Sequence, residues 1–212
     1  MCINIQGNDH SGCGNGVVGW NTPFNRNLSV IAIASLAKRY ASRPNLYGFE
    51  LLNEPAWVLE EDHAGLLAYY HAAYAAVRAH SQSAKVVFNV LYGEFYDEWD
   101  GEMTSDVFSG VEVDWHLYDC FGDRGSVSTA DHIAAAESWG PLIAAHMPYH
   151  PIFVGEWSLA TGDQPGGQPF ADAQETSYEQ GRGFYFWSMK LVENKDSKEW
   201  SFMSAIQSGY VL

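Results

Sequence analysis

Two glutamates carry the chemistry this sequence offers. Glu54 follows the apolar run LYGFELL at 46–52 and stands in Asn53-Glu54-Pro55, and Glu156 follows PIFVG at 151–155 and precedes Trp157. A carboxylate closing a segment built for burial is costly unless it is paired or used. One such residue reads equally well as a salt-bridged or solvated glutamate, but two in equivalent positions point to a shared task. Paired carboxylates suit glycosidic bond cleavage, in which one protonates the leaving oxygen and the other attacks the anomeric carbon. Environments that push their pKa values apart divide the two roles.

The segments that must position these residues alternate between strand and helix patterns. Residues 28–41 read as a helix capped by Asn27, 46–52 as a buried strand, and 62–80 as a helix with Leu66, Leu67, Tyr70, Tyr74 and Val77 at helical spacing. Strands follow at 85–91 and 111–117, a helix at 129–146 with Thr129 near its cap, and a strand at 151–157 that Pro151 opens. A Gly/Pro-rich loop from Thr161 to Pro169 leads to a helix around 170–181 and a last strand at 183–189, before a charged loop from Glu193 to Glu199. Strands separated by helices predict a parallel sheet. The five strands counted here belong to one domain over 1–212, with no linker, repeat or low-complexity tract. In a parallel barrel the carboxyl ends of the strands converge on one face, where active sites lie. Besides the two glutamates, that face would gather His116 and Tyr118 from one strand end and Trp187 from another. Each has a bland alternative: His116 as a satisfied core histidine, Trp187 as simple packing.

Composition narrows the partners. Eleven Lys and Arg against 26 Asp and Glu give a net charge of −15, which opposes phosphate neutralisation and so predicts no nucleic-acid partner and no anionic membrane surface. A neutral polysaccharide is compatible, and an aromatic share of 15% with eight Trp supplies flat surfaces for sugar faces as well as core. The three cysteines, Cys2, Cys13 and Cys120, form neither a disulfide framework nor a CxxC metal site. His146 and His150 have an H-x3-H spacing that Pro148 interrupts, so no metal and no other cofactor is expected. The acidic stretch with Glu94, Asp97 and Glu98 reads as a solvated loop face. No apolar run approaches the roughly 20 residues of a membrane span, and the residues after Met1 show no signal peptide in this chain.

ELLNEP at 50–55, DWHLYDCF at 114–121, VGEWS at 154–158 and FWSMKLVENKDSKEWSF at 186–202 together resemble the exo-β-1,3-glucanases of glycoside hydrolase family five. The resemblance runs from about Gly7 to the end. It implies a (β/α)8 TIM barrel and a retaining enzyme that releases glucose from β-1,3-glucans, with Glu54 as general acid and then base and Glu156 as nucleophile. It further implies Asn53 on the sugar 2-hydroxyl, His116 and Tyr118 beside the carboxylates, Trp187 as the platform under the sugar, and Phe121 in an aromatic clamp. Asp9 and His10 match a substrate-facing loop. The substrate would be a β-glucan polysaccharide or oligosaccharide, and the setting extracellular or cell wall.

The chain also departs from that pattern. Relatives carry three further strands before this point, contributing an arginine, an acidic sugar-binding residue and a histidine, and the second clamp phenylalanine falls at Asn8. The expectation is an N-terminally truncated barrel holding about strands 4–8, short of the ~250 residues typical of a closed one. Such a chain would have open sheet edges and poor solubility or low turnover by itself. Two rival functions follow: a non-catalytic glucan-binding remnant, and a β-glucan transglycosylase using the same carboxylates.

Overall fold

The computed structural model describes residues 2–3, 19–56, 62–90, 96–163, 166–193 and 196–211 of the chain. They divide into two compact units, Met1–Asp114 and Trp115–Leu212.

The first unit alternates strand and helix: β1 (Cys2–Ile3), α1 (Pro23–Tyr40), β2 (Gly48–Glu50), α2 (Asp62–Arg78), β3 (Lys85–Asn89) and the start of β4 (Val111–Leu117). All pairings are parallel, with Cys2 opposite Gly48, Gly48 opposite Lys85 and Val86 opposite Val111. β2 and β3 approach so closely at Gly48 that a Cβ there would collide with the Lys85 carbonyl. Helix α1 starts where Thr22 accepts a hydrogen bond from the Asn25 amide at 3.2 Å and Pro23 takes the first helical position, whose N–H would have no partner in the helix anyway. Helix α2 buries Leu66, Tyr70, Ala73 and Val77, one stripe at helical spacing. Tyr70 meets Phe88 of β3 and Trp99 at ring distances of 5.4 and 6.0 Å, an aromatic core between helix and sheet. The hydroxyls of Tyr69 and Tyr70 donate to the carbonyls of Leu51 and Asn89 at 2.5 and 2.6 Å. Burial pushes both phenols well up, so they remain donors. These two bonds tie α2 to the chain just after β2 and to the end of β3. Glu112 is buried on β4, where Lys85 Nζ lies 2.8 Å away and the Tyr47 hydroxyl donates to it at 2.5 Å.

The second unit holds the end of β4, α3 (Thr129–His146), β5 (Ile152–Trp157), α4 (Gly167–Tyr178), β6 (Phe184–Phe186) and α5 (Phe202–Gln207). A capping box opens α3: the Ser128 hydroxyl accepts from the Asp131 amide, and the Asp131 carboxylate accepts from the Ser128 amide. Helices α3 and α4 pack closely at Gly140, against Ser177, whose hydroxyl donates to the Ala136 carbonyl at 2.7 Å. β5 and β6 run parallel around Trp157, which meets Tyr178, Phe184 and Phe186 edge-on at 5.4, 5.7 and 4.9 Å.

The helix predicted over 28–41 with Asn27 as cap begins earlier, at Pro23 with Thr22 as cap. The polar turn Asn25-Arg26-Asn27 breaks the apolar period but not the helix. The strand predicted over 46–52 narrows to Gly48–Glu50, and that over 183–189 to Phe184–Phe186. The helix predicted around 170–181 starts at Gly167. A sixth strand, Cys2–Ile3, precedes the five expected ones and pairs with β2. Among the described residues no helix is long and apolar enough to cross a membrane.

Candidate active site

Glu54 lies four residues beyond the last residue of β2. Leu51 and Leu52 before it are fully buried, Asn53 is buried, and Glu54 itself is half-buried. The Leu51 amide still donates to the Val87 carbonyl, at 2.8 Å, so the strand is anchored almost to the site. Glu54 then takes φ +45°, the left-handed region that non-glycine residues seldom occupy. Such conformations persist where the surroundings over-determine them, as at active sites. On its far side the Trp20 indole donates to the Ala56 carbonyl at 2.9 Å. The carboxylate is thus aimed by backbone, pinned before and after the turn.

Glu156 lies within β5, and the pairing with β6 shows how it is aimed. Val154 faces Phe184 and Trp157 faces Phe186, so three steps on β5 match two on β6. The extra residue is a β-bulge spanning Gly155 and Glu156, and bulges re-aim side chains. Burial follows it: Val154 and Trp157, three apart, are both buried, while Gly155 and Glu156 between them are half-buried. The Glu156 side chain keeps 17% of its surface. Tyr118 donates its hydroxyl to Glu156 Oε2 at 2.9 Å, and His116 Nδ1 stands 3.7 Å from the same oxygen. A hydroxyl donor on a carboxylate favours its charged form.

Aromatic surface lies beside this carboxylate. Tyr118 meets Phe121 at 5.5 Å and Trp200 at 5.8 Å, and Phe121 and Trp200 lie 6.4 Å apart. Phe121 is 58% exposed and Trp187 52%, so neither belongs to the core. The Trp187 amide donates to the Trp157 carbonyl at 2.8 Å, which sets it next to the residue that follows Glu156. Its peptide bond to Ser188 is cis.

Of the residues expected at the site, His116, Tyr118 and Glu156 come together, and Phe121 joins through Tyr118. Asn53 and Glu54 close the strand of the first unit. Asp9 and His10 lie outside the described residues, as does Glu94, while Asp97 and Glu98 are exposed on a 3-10 turn, Tyr96–Trp99. Sequence reasoning assigned no part to Trp200, although it stands in the quoted 186–202 segment; its aromatic type next to Glu199 was the available signal. Nor did it single out Asp119, whose partners lie on other elements.

Parallel strands with intervening helices make up part of a (β/α)8 barrel. A rutinosidase from Aspergillus niger superposes with a TM-score of 0.76 over 96% of this chain and 63% of that one, at 20% identity. Thermotoga maritima Cel5A in complex with cellobiose gives 0.69 over 92% of this chain and 68% of that one, at 15% identity. In sequence the chain is 25% identical over 254 residues to a glucan 1,3-beta-glucosidase of Blumeria graminis, covering 97% of this chain and 57% of that protein. It is 32% identical over 162 residues to a probable glucan 1,3-beta-glucosidase A of Aspergillus niger, covering 74% of this chain and 37% of that protein. No family model matches the chain. The chain is thus similar in sequence to glucan 1,3-beta-glucosidases, and it spans about half the length of the curated relatives it matches.

Proposed function

We propose that this chain carries the catalytic carboxylates of a retaining glycoside hydrolase acting on β-1,3-glucan. The observation that carries the reading is the Tyr118 hydrogen bond to Glu156 on a bulged strand end, in a chain whose sequence relatives bear the glucan 1,3-beta-glucosidase name. Glu156 attacks the anomeric carbon, the glycosidic C–O bond breaks, and Glu54 delivers its proton to the departing oxygen. Glu54 then takes a proton from water, whose oxygen displaces Glu156 with net retention. Asn53 contacts the sugar 2-hydroxyl, and Trp187, Phe121 and Trp200 offer flat faces to the sugar rings. The double displacement needs no metal. Release of single glucose units from chain ends, and work on β-glucan outside the cell or in the wall, complete the proposal.

Two measurements test it. Incubation with an activated 2-deoxy-2-fluoroglucoside should add one sugar mass to the peptide containing Glu156. Proton NMR of a β-1,3-glucan digest should show β-glucose first. An α-anomer, or carboxyl groups much farther apart than the ~5–5.5 Å of a retaining pair in a crystal structure, would overturn the mechanism. Retention with products longer than the substrate would turn the reading to transglycosylation, and binding without any turnover to a glucan-binding role.

A further inference from the structure

The loop that follows β4 is held by a cluster around a buried carboxylate that the double displacement does not use. Asp119, directly after Tyr118, is almost wholly buried. Arg124 grips it with two parallel bonds, Nε to Oδ1 at 2.7 Å and Nη2 to Oδ2 at 2.8 Å. His132 Nδ1 lies 2.6 Å from Oδ2 of the same carboxylate. His132 is completely buried on α3, edge-on to Phe170 at 5.9 Å. Among the described residues its Nε2 has no hydrogen-bond partner, and its Nδ1 is the nitrogen that meets Asp119. Arg124 also donates to the Asp131 carbonyl at 3.2 Å. One carboxylate therefore ties together the end of β4, the 3-10 turn Gly122–Ser126 and the first turn of α3. A second contact locks the turn from outside. The Asp163 amide donates to the Gly125 carbonyl at 2.9 Å, and a Cβ on Gly162, at φ +78°, would collide with Gly125.

A carboxylate buried against a histidine and gripped at the surface by a bidentate arginine holds its segment in one geometry. What it makes rigid here is the stretch that holds Tyr118 on one side of Asp119 and Phe121 on the other. We propose that Asp119, held by Arg124 and His132, is a positioning residue for the Glu156 side of the site, fixing the backbone from which Tyr118 reaches Glu156. The Tyr118 ring is flanked by Phe121 and Trp200, so the placement of its Cα decides where its hydroxyl reaches. Asp119 sets it without touching the reacting atoms.

The test uses the full chain with 3-fluorotyrosine placed at position 118 alone. The fluorine resonance should shift on Glu156→Gln, which marks loss of the carboxylate acceptor. Arg124→Gln and Asp119→Asn should each move it toward that position and broaden it. Arg124 is 40% exposed and His132 still meets Asp119 without it, so its replacement should disturb folding less than Asp119→Asn does. An unmoved, sharp resonance in folded Arg124→Gln overturns the proposal. The second arm rests on the proposed hydrolysis. Asp119→Asn should lower kcat roughly ten- to a hundredfold with KM little changed, as a small misplacement does. In a Tyr118→Phe background the same substitution should cost almost nothing more. Equal losses in both backgrounds would mean that Asp119 acts through something other than Tyr118. If the unmodified chain hydrolyses nothing, the functional reading fails, and the fluorine arm still decides on Asp119.

Discussion

The two strand ends solve the same problem differently. Glu54 is aimed by its own backbone, at φ +45°, between an anchored Leu51 and an anchored Ala56. Glu156 is aimed by a bulge and then held by side chains from β4 and just beyond it, Tyr118 at 2.9 Å and His116 at 3.7 Å. The difference suits two roles. A group that must gain and lose a proton in each cycle is served by a backbone that holds it in one place through both charge states. A nucleophile is served by donors that favour its anion.

The largest test of that contrast removes each carboxylate in turn. If Glu156 is the proposed nucleophile, Glu156→Gln should abolish turnover on every substrate, because no glycosyl-enzyme can then form. Glu54→Gln should cost about 10²–10⁴-fold on glucan but far less on the first step of aryl glycosides with good leaving groups, which need no proton. Burst kinetics with a nitrophenyl glucoside separates the two. Equal losses on both substrates for Glu54→Gln would deny it the acid's part.

Next in size is Tyr118→Phe. A hydrogen bond to a charged group contributes about 1.5–3 kcal/mol, so kcat/KM should fall roughly ten- to a hundredfold. The loss should be equal for glucan and for aryl glycosides, since Tyr118 serves Glu156 and not the leaving group. A loss confined to glucan would place Tyr118 with the acid and erase the contrast between the strand ends.

Much of this was legible from residue order, and what was not has physical causes. β4 and α3 have the bounds their patterns predict, because the apolar run of VEVDWHL and the helix-forming stretch from Thr129 are strong local signals. Glu54 and Glu156 stood out because a charge closed an apolar run. The start of α1 did not, since apolar spacing marks a helix body and Thr22-Pro23 marks its cap. The bulge at Gly155–Glu156 is invisible in PIFVGEW, because an extra residue exists only relative to a partner strand. The left-handed turn at Glu54 is equally hidden, since no glycine announces it. Asp119 has its two partners five and thirteen positions downstream, on a turn and a helix, and only folding brings them to one carboxylate.

The smallest effect sharpens the comparison from the Glu156 side, through Cys120. This thiol stands between Asp119 and Phe121, and it is pushed up to about 11 by burial first and by the Asp119 charge second. Thiolate is the reactive form, so at pH 8 Cys120 should alkylate on the order of a hundredfold more slowly than an ordinary thiol of pKa about 8.5. Peptide mapping after timed iodoacetamide labelling distinguishes it from Cys2 and Cys13. The sign for variants follows from the two causes. Asp119→Asn removes a negative charge beside the thiol, which lowers its pKa and speeds labelling. Arg124→Gln leaves the Asp119 charge in place but loosens the turn, which speeds labelling only by letting in water. If Asp119 is the clasp of this strand end, both variants accelerate Cys120, Asp119→Asn the more. Rapid labelling of the unmodified chain at pH 8 would instead mean that the segment after Tyr118 opens freely. The Glu156 side would then be no more firmly held by its side chains than the Glu54 side is by its backbone.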